Sequence, residues 1–410
     1  MYDNIVHCQI KYIRLEAPCV RGQSLMRRDS CKGWPAMDIL QNFRRNAGAP
    51  YEAARSWKQT GNKPVMAYFC SYTPEEILYA AGVFPLRIFG TSTHISHADA
   101  HLQSYSCSLV RGALEDALSG QLSFLDGVVF PHTCDSIQRL SDIWRLNVPM
   151  RLHADIVLPV KLDSDTSRAY MVDVLRKFRS DLEASLSVTI SDDDLRRSIR
   201  LYNRIRSAMK KIYTLKDKNP ALIGGSDMRA VMKSSMTMDR AVVADMLEEL
   251  ARDLENGSGA AMPKSGKRLV LSGSLCDHPD VYAIIEKSGG FVVWDDLCNG
   301  SRYFEGMLRE TGDPIEAIAQ RYSERIICPA KHMALTSRGD NLVRIVKEHN
   351  AAGVLFLLLK FCDPHAFDYP YIKEMLDNEK IPSMLMEMEQ VLPSEGQLKT
   401  RFEAFIEMLQ

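Results

Sequence analysis

The 410-residue sequence lacks several features that would point directly to a partner or a compartment. Basic and acidic residues nearly cancel, with 51 Lys and Arg against 52 Asp and Glu, so the net charge is −1. That balance gives no electrostatic reason to expect a nucleic-acid or anionic-membrane partner. The longest strongly apolar run, 351–359, is shorter than the roughly 20 residues that span a bilayer. The first 15 residues lack the apolar core of a signal peptide, so we expect a cytoplasmic protein with no membrane partner.

Short nucleotide and zinc motifs are missing as well. No G-x-x-x-x-G-K-[ST] pattern occurs, and Gly224 and Gly225 lack the preceding strand and third glycine of a dinucleotide site. None of the ten cysteines forms a C-x-x-C pair, which excludes zinc ribbons and ferredoxin-type runs. Ten thiols in a long intracellular chain favour metal binding, catalysis or plain burial over a disulfide framework.

Alternating strand and helix patterns predict an α/β protein with two doubly wound parallel-sheet lobes. We divide the chain into a partly helical N-terminal arm (1–62), a first α/β lobe (63–163), a helical segment with a linker (164–265) and a second α/β lobe (266–410). After the first strand, Thr73 and Glu76 flank Pro74 in a pattern that predicts a capping box at a helix start.

Six cysteines stand at strand-to-loop or loop-to-helix junctions, where ligands of open α/β sheets bind. They are Cys70, Cys107, Cys134, Cys298, Cys328 and Cys362. Thiolates are stabilised near helix N-termini, and such thiolates hold iron–sulfur clusters. Plain burial remains the alternative for each, because free cysteine is among the most buried residue types. Cys276 stays undecided, and Cys8, Cys19 and Cys31 lie in the arm, where we predict no ligands.

The two lobes repeat one arrangement. In each, a buried strand that begins Gly-Val (127–130 and 353–356) leads to a Cys-Asp pair, at Cys134 in the first lobe and at Cys362 in the second. The repeat predicts that both thiols point into one cleft between the lobes.

Four separated segments give the sequence a family resemblance. They begin at Cys70 (CSYTPEE), Phe130 (FPHTCD), Asp295 (DDLCNGSRYF) and Lys360 (KFCDPH), and a fifth, GQLKTR, begins at Gly396. In this order they resemble the signature segments of the benzoyl-CoA reductase and 2-hydroxyglutaryl-CoA dehydratase D-component family. The resemblance covers residues 34–410, and several motifs in sequence are more specific than a lone pattern.

The resemblance implies two flavodoxin-like lobes, a helical part and an iron–sulfur cluster between the lobes. It implies a catalytic subunit for a CoA thioester, paired with a homologous subunit or with itself, and a separate ATP-hydrolysing iron–sulfur activator that supplies electrons. A single 4Fe–4S cluster needs at most four thiolates, so six leave open a double-cubane (8Fe–9S) cluster. The alternatives are a double-cubane protein that reduces a small molecule, and a non-catalytic electron-relay or scaffold subunit.

Five further residues have a functional and a structural interpretation. His132 and His365 stand near candidate ligands and could donate protons or hydrogen-bond the cluster sulfurs. Glu75 could relay protons, although its place in a first helical turn also accounts for it. Arg302 and Tyr303 could hold a substrate carboxylate or phosphate, or pack a loop.

The missing phosphate-binding loop gives a direct prediction. The isolated chain should not bind ATP, because it has no backbone cradle for the phosphates. Isothermal titration of the purified chain with Mg-ATP should therefore show no binding heat. Tight ATP binding would contradict the proposal that a partner hydrolyses the nucleotide.

Overall fold

A computed structural model describes residues 36–61, 63–92, 94–257, 266–325, 328–389 and 391–409. The first 35 residues, with Cys8, Cys19 and Cys31, lie outside this part, as does most of the predicted linker, 258–265. Within it, none of the helices is both long enough and apolar enough to cross a membrane.

Four parallel strands form the first sheet: β1 (Val65–Tyr68), β2 (Phe84–Arg87), β3 (Gly127–Pro131) and β4 (Leu152–Ile156). They lie in the order β2-β1-β3-β4. Every residue of the first three strands is buried, as expected for strands covered by helices on both faces. The connecting helices are α3 (Glu75–Ala80), α4 (Ser108–Leu118) and α5 (Asp135–Asn147).

The second sheet repeats this topology with β5 (Lys267–Gly273), β6 (Gly290–Asp296), β7 (Gly353–Leu359) and β8 (Ser383–Met388). These strands are also parallel and lie in the order β6-β5-β7-β8. Both sheets therefore have the strand order of a flavodoxin-like fold, which confirms the predicted fold class. The accompanying helices are α10 (Pro279–Lys287), α11 (Ser301–Phe304), α12 (Pro314–Glu324), α13 (Ser337–Glu348), α14 (Asp363–Asn378) and α15 (Glu395–Met408).

The remaining helices precede the first sheet or lie between the two sheets in the chain. They are α1 (Ala36–Gly48), α2 (Glu52–Gly61), α6 (Asp165–Leu186), α7 (Asp192–Lys218), α8 (Gly225–Ser235) and α9 (Arg240–Glu255). Helix α7 begins with a capping box at Ser191 and contacts α3 of the first lobe as well as β6 and α11 of the second. Its buried stripe thus belongs to a core that both lobes share.

The predicted capping box at Thr73 is wrong. Helix α3 begins at Glu75 without a side-chain cap, and the Thr73 hydroxyl is buried without a partner. Glu76 instead forms a buried ion pair with Arg206 of α7. The tertiary ion pair removes the side chain that a local capping box would have used.

Gly273 allows the close approach of β5 and β7 beside the strand ends. It has φ of +152°, and a Cβ there would lie 2.0 Å from the carbonyl oxygen of Leu357. Gly273→Ala should therefore destabilise the protein by about 1–3 kcal/mol, because the backbone of β7 must shift. Urea unfolding measures this change in the free energy of unfolding.

Gly48→Ala is the matched control, because nothing lies within 4 Å of a Cβ at Gly48. Its effect should stay within about 0.5 kcal/mol. Equal stability of the two variants would contradict the close strand approach at Gly273.

Candidate metal centre

Backbone geometry places five of the six candidate thiols just after strands or at starts of helices, and the sixth in a loop. Cys70 and Cys298 follow β1 and β6 by two residues, and Cys328 lies in the loop after α12. The other three, Cys107, Cys134 and Cys362, are the N-cap residues of α4, α5 and α14, and none of these thiols makes a capping hydrogen bond. Each of these three thiols therefore stands at the positive end of a helix dipole, where a thiolate is stabilised, and remains available to a ligand.

One group of thiols comprises Cys70, Cys298 and Cys328. Each of these thiols shifts the pKa of others in the group: Cys70 and Cys298 act on each other, and Cys328 raises the pKa of Cys70. The guanidinium of Arg87 donates to Cys298 Sγ over 2.9 Å. The contact with Cys70, then the charges of Arg87 and Arg302, hold the pKa of Cys298 well below its usual value. The same contact, then burial, raises the pKa of Cys70, while the guanidinium of Arg87 favours the charged form of Cys298.

The second group comprises Cys107, Cys134 and Cys362, which line one open cavity of about 460 Å³. Burial raises the pKa of all three thiols, that of Cys134 to about 12. The charge of Cys107 also raises the pKa of the other two, and that of Cys134 raises the pKa of Cys362, as expected of like charges brought close together. Without a bound cation these three thiols are therefore protonated.

Cys328 acts electrostatically on thiols of both groups, raising the pKa of Cys70, Cys134 and Cys362. Thiols from both lobes, Cys107, Cys134 and Cys362, thus line one cavity. All seven cysteines in the described part of the chain are free of disulfides. No three His, Cys, Asp or Glu side chains among the described residues stand close enough to hold a single metal ion. The undecided Cys276 is fully buried beside Tyr282 and Asp277, and burial raises its pKa to about 12, so it is a core residue.

A chain of buried charges links the loops that carry the two groups. Asp296, two residues before Cys298, lies 2.8 Å from Arg302 Nε and 3.2 Å from Arg338 Nη2. The contact with Arg302 is a charge contact without hydrogen-bond alignment, since neither atom has a hydrogen-bond partner. Arg338 also pairs over 2.6 Å with Asp368 of α14, the helix that begins after Cys362. These pairs connect the loop that carries Cys298 to helix α14, which begins after Cys362.

The two histidine candidates occupy different surroundings. His365 is buried, with 3.2 Å between its Nδ1 and Cys362 Sγ and 3.4 Å between its Nε2 and Arg302 Nη1. Burial, then the charges of Arg302 and Arg338, lower the pKa of His365 well below 6.5, so its ring is neutral. One ring nitrogen of His365 thus contacts a candidate ligand and the other contacts a buried guanidinium. His132 instead lies 2.9 Å from Asp155 Oδ1 and is not among the residues that line the cavity.

Glu75, Arg302 and Tyr303 are all buried with partners inside the protein. Glu75 Oε2 lies 2.7 Å from Arg240 Nη2 and accepts the Tyr303 hydroxyl over 3.3 Å. Arg302 donates to the backbone carbonyls of Gly273 and Asp296, at the ends of β5 and β6. These contacts favour the loop-packing interpretation of Arg302 and Tyr303, and none of the three residues lines the cavity.

Sequence reasoning missed Arg87, Asp296 and Arg338. A signal for Arg87 exists, because it is a charged residue inside the apolar run FPLRIF, where all six residues are buried. Burial of a charge requires a partner. The partners of Asp296 and Arg338 lie on elements distant in sequence, which no local pattern reveals.

The chain belongs to the family described as "2-hydroxyglutaryl-CoA dehydratase, D-component", whose sequence profile matches residues 70–409. It is 31% identical to one of the subunits of benzoyl-CoA reductase from Thauera aromatica, over 81% of this chain and 87% of that protein. It is 28% identical to the (R)-phenyllactyl-CoA dehydratase beta subunit of Clostridium sporogenes, over 86% of this chain and 93% of that protein. The (R)-2-hydroxyglutaryl-CoA dehydratase beta subunit of Acidaminococcus fermentans is 25% identical, over 90% of this chain and 99% of that protein.

These matches confirm the family predicted from the four motif segments. They also make the chain an enzyme component of the oxidoreductase or lyase type, since its relatives are named as a reductase and dehydratases.

The opposite pKa shifts predict a reactivity order for the thiols. In protein freed of bound metal under argon, Cys298 should be alkylated by iodoacetamide at a lower pH than Cys134. The thiolate is the nucleophile, and the pKa of Cys298 is lowered while that of Cys134 is raised to about 12. Peptide mass spectrometry after brief labelling across a pH series measures both sites.

Cys276 serves as an internal control, because its pKa is also raised to about 12 and it should label as late as Cys134. Alkylation of Cys298 and Cys134 with the same pH profile would contradict the charge assignment.

Proposed function

We propose that this chain is the iron–sulfur subunit of a low-potential reductase or dehydratase that acts on a CoA thioester. The observation that carries the proposal is that thiols from both lobes, Cys107, Cys134 and Cys362, line one cavity, while Cys70, Cys298 and Cys328 act on one another's pKa. Burial alone gives no reason for thiols of two lobes to share one cavity. Family membership supports the substrate class, because the relatives are named for CoA thioesters.

The donor set fits an iron–sulfur cluster. Thiolate sulfur is the usual protein ligand of such clusters, and a cluster of several irons is wider than one ion, so its ligands stand further apart. Six thiols exceed the four that one 4Fe–4S cluster uses, and they fall into two groups of three. We therefore propose a double cubane, with Cys70, Cys298 and Cys328 on one half and the other three on the second. When bound, the cluster supplies a centre for one-electron transfer at low potential.

The cavity that the second group lines is the proposed place of the substrate's acyl group. Its mouth carries large apolar side chains that are exposed: Leu335, Phe361, Phe367 and Tyr371. An apolar mouth above polar, thiol-bearing walls is typical of a small-molecule site. Of the three candidate proton carriers, His365 is the one in contact with a proposed ligand, Cys362, while His132 pairs with Asp155 and Glu75 with Arg240. Because none of the three lines the cavity, we propose that His365 hydrogen-bonds the cluster-bound sulfur.

Two partners complete the proposal. The relatives are named as single subunits of larger enzymes, which supports pairing with a homologous subunit. A separate ATP-hydrolysing iron–sulfur activator would supply the electrons, since this sequence has no phosphate-binding loop.

The count of six thiols also supports a second candidate, a double-cubane protein that reduces a small molecule instead of a CoA thioester. Binding of CoA thioesters by the anaerobically purified chain separates the two functions. The first predicts that benzoyl-CoA or a 2-hydroxyacyl-CoA shifts the spectrum of the reduced centre, and the second predicts no shift.

A cysteine-to-serine series tests the cluster itself. Wild-type protein purified without oxygen should hold about four or eight irons per chain, with matching sulfide. Each of the six single Ser variants should lose iron, because serine is a poor ligand for these irons. Iron and acid-labile sulfide assays with absorption spectra measure the loss.

Cys276→Ser is the matched control and should keep its full iron content, since Cys276 is buried apart from the six. Full iron content in Cys134→Ser and Cys362→Ser would defeat the proposal.

A further inference from the structure

Arg87, the last residue of β2, is a buried arginine whose contacts converge on one cysteine. It is 0% exposed. Its Nη1 donates to the backbone carbonyl of Cys298 and to Met236 Sδ, each over 3.1 Å, and its Nη2 donates to Cys298 Sγ over 2.9 Å. Both terminal nitrogens of the guanidinium, which together carry four of its five N–H groups, thus contact Cys298.

The described part of the structure gives Arg87 no carboxylate partner. Four other buried arginines each pair with an acidic side chain: Arg206 with Glu76, Arg240 with Glu75, and Arg302 and Arg338 with Asp296. Two more, Arg321 and Arg325, have no acidic partner in the described part either and donate to backbone carbonyls and, for Arg325, to Ser71 Oγ. An uncompensated buried charge costs several kcal/mol, so a buried cation is stabilised by an anion beside it. The atom in the position of that anion is Cys298 Sγ.

We propose that Arg87 is a positioning residue that supplies the counter-charge of the Cys298 sulfur and raises the reduction potential of the cluster bound there. The inference rests on the proposed iron–sulfur function. On reduction, one electron from a low-potential donor enters the cluster, no bond breaks, and the negative charge on the cluster rises by one. A fixed cation and an N–H···S hydrogen bond favour that extra charge, so they favour the reduced state.

Three substitutions separate charge from hydrogen bonding at this position. Arg87→Lys keeps the charge, Arg87→Gln keeps a donor without charge, and Arg87→Met removes both. Electron paramagnetic resonance during a dithionite titration with redox mediators measures the potential of each anaerobically purified protein. Arg87→Met should lower the ratio of reduced to oxidised cluster at a fixed potential about tenfold, which corresponds to about 59 mV for one electron. Arg87→Gln should fall between Arg87→Met and wild type, and Arg87→Lys should stay near wild type.

Arg206→Met is the matched control, because it also removes a buried arginine but one paired with Glu76 instead of a thiol. It should lower thermal stability and leave the potential unchanged. Iron content, measured first, separates the failures: wild type without iron overturns the proposed function together with this inference. Iron-loaded Arg87→Gln and Arg87→Met with wild-type potentials overturn the role of Arg87 alone. Loss of iron from all three Arg87 variants also overturns it, since Arg87 would then be needed for assembly of the site.

Discussion

The strand order that the two parallel sheets share is the constraint on which the whole site depends. Where neighbouring strands send their connections to opposite sides of a sheet, a crevice opens at their C-terminal ends. In the first sheet this happens between β1 and β3, the strands that lead to Cys70 and Cys134. In the second it happens between β5 and β7, and β7 leads to Cys362. Cys134 and Cys362, which follow the corresponding strands of the two sheets, line the same cavity although they are far apart in sequence.

Buried ion pairs then hold the loops that follow the strands, among them the loop after β6 that carries Cys298. Asp296 holds Arg302 and Arg338, and Arg338 continues to Asp368 on the helix that starts after Cys362. Buried ion pairs add little net stability, yet breaking one costs about 3–5 kcal/mol, because a bare charge remains. Their contribution here is geometric, because any other position of these loops would leave a buried charge without its partner. Arg87 extends this pattern, with a thiol where Arg302 and Arg338 have a carboxylate.

The sequence predicted those parts of the structure that depend on local pattern. Buried strands that end in Cys134 and Cys362 were recognisable from apolar runs followed by Cys-Asp, and the cavity has both thiols in its wall. The capping box at Thr73 failed because Glu76 is held by Arg206, which stands 130 residues further along the chain. The pairing of Arg87 with Cys298 was out of reach for the same reason, since their separation of 211 residues leaves no periodic trace. In both cases a buried charged side chain pairs with a residue distant in sequence, and local sequence pattern does not predict that pairing.

The central claim is that six thiols from two lobes hold one iron–sulfur centre. It is tested most directly by an anomalous difference map, at the iron absorption edge, from crystals grown without oxygen. The account predicts iron density between the sulfurs of Cys70, Cys298 and Cys328 on one side and Cys107, Cys134 and Cys362 on the other. Iron bound by only one group would show a single cubane and leave the other thiols structural. A map without iron among these sulfurs, from protein isolated with its full metal content, would contradict the account.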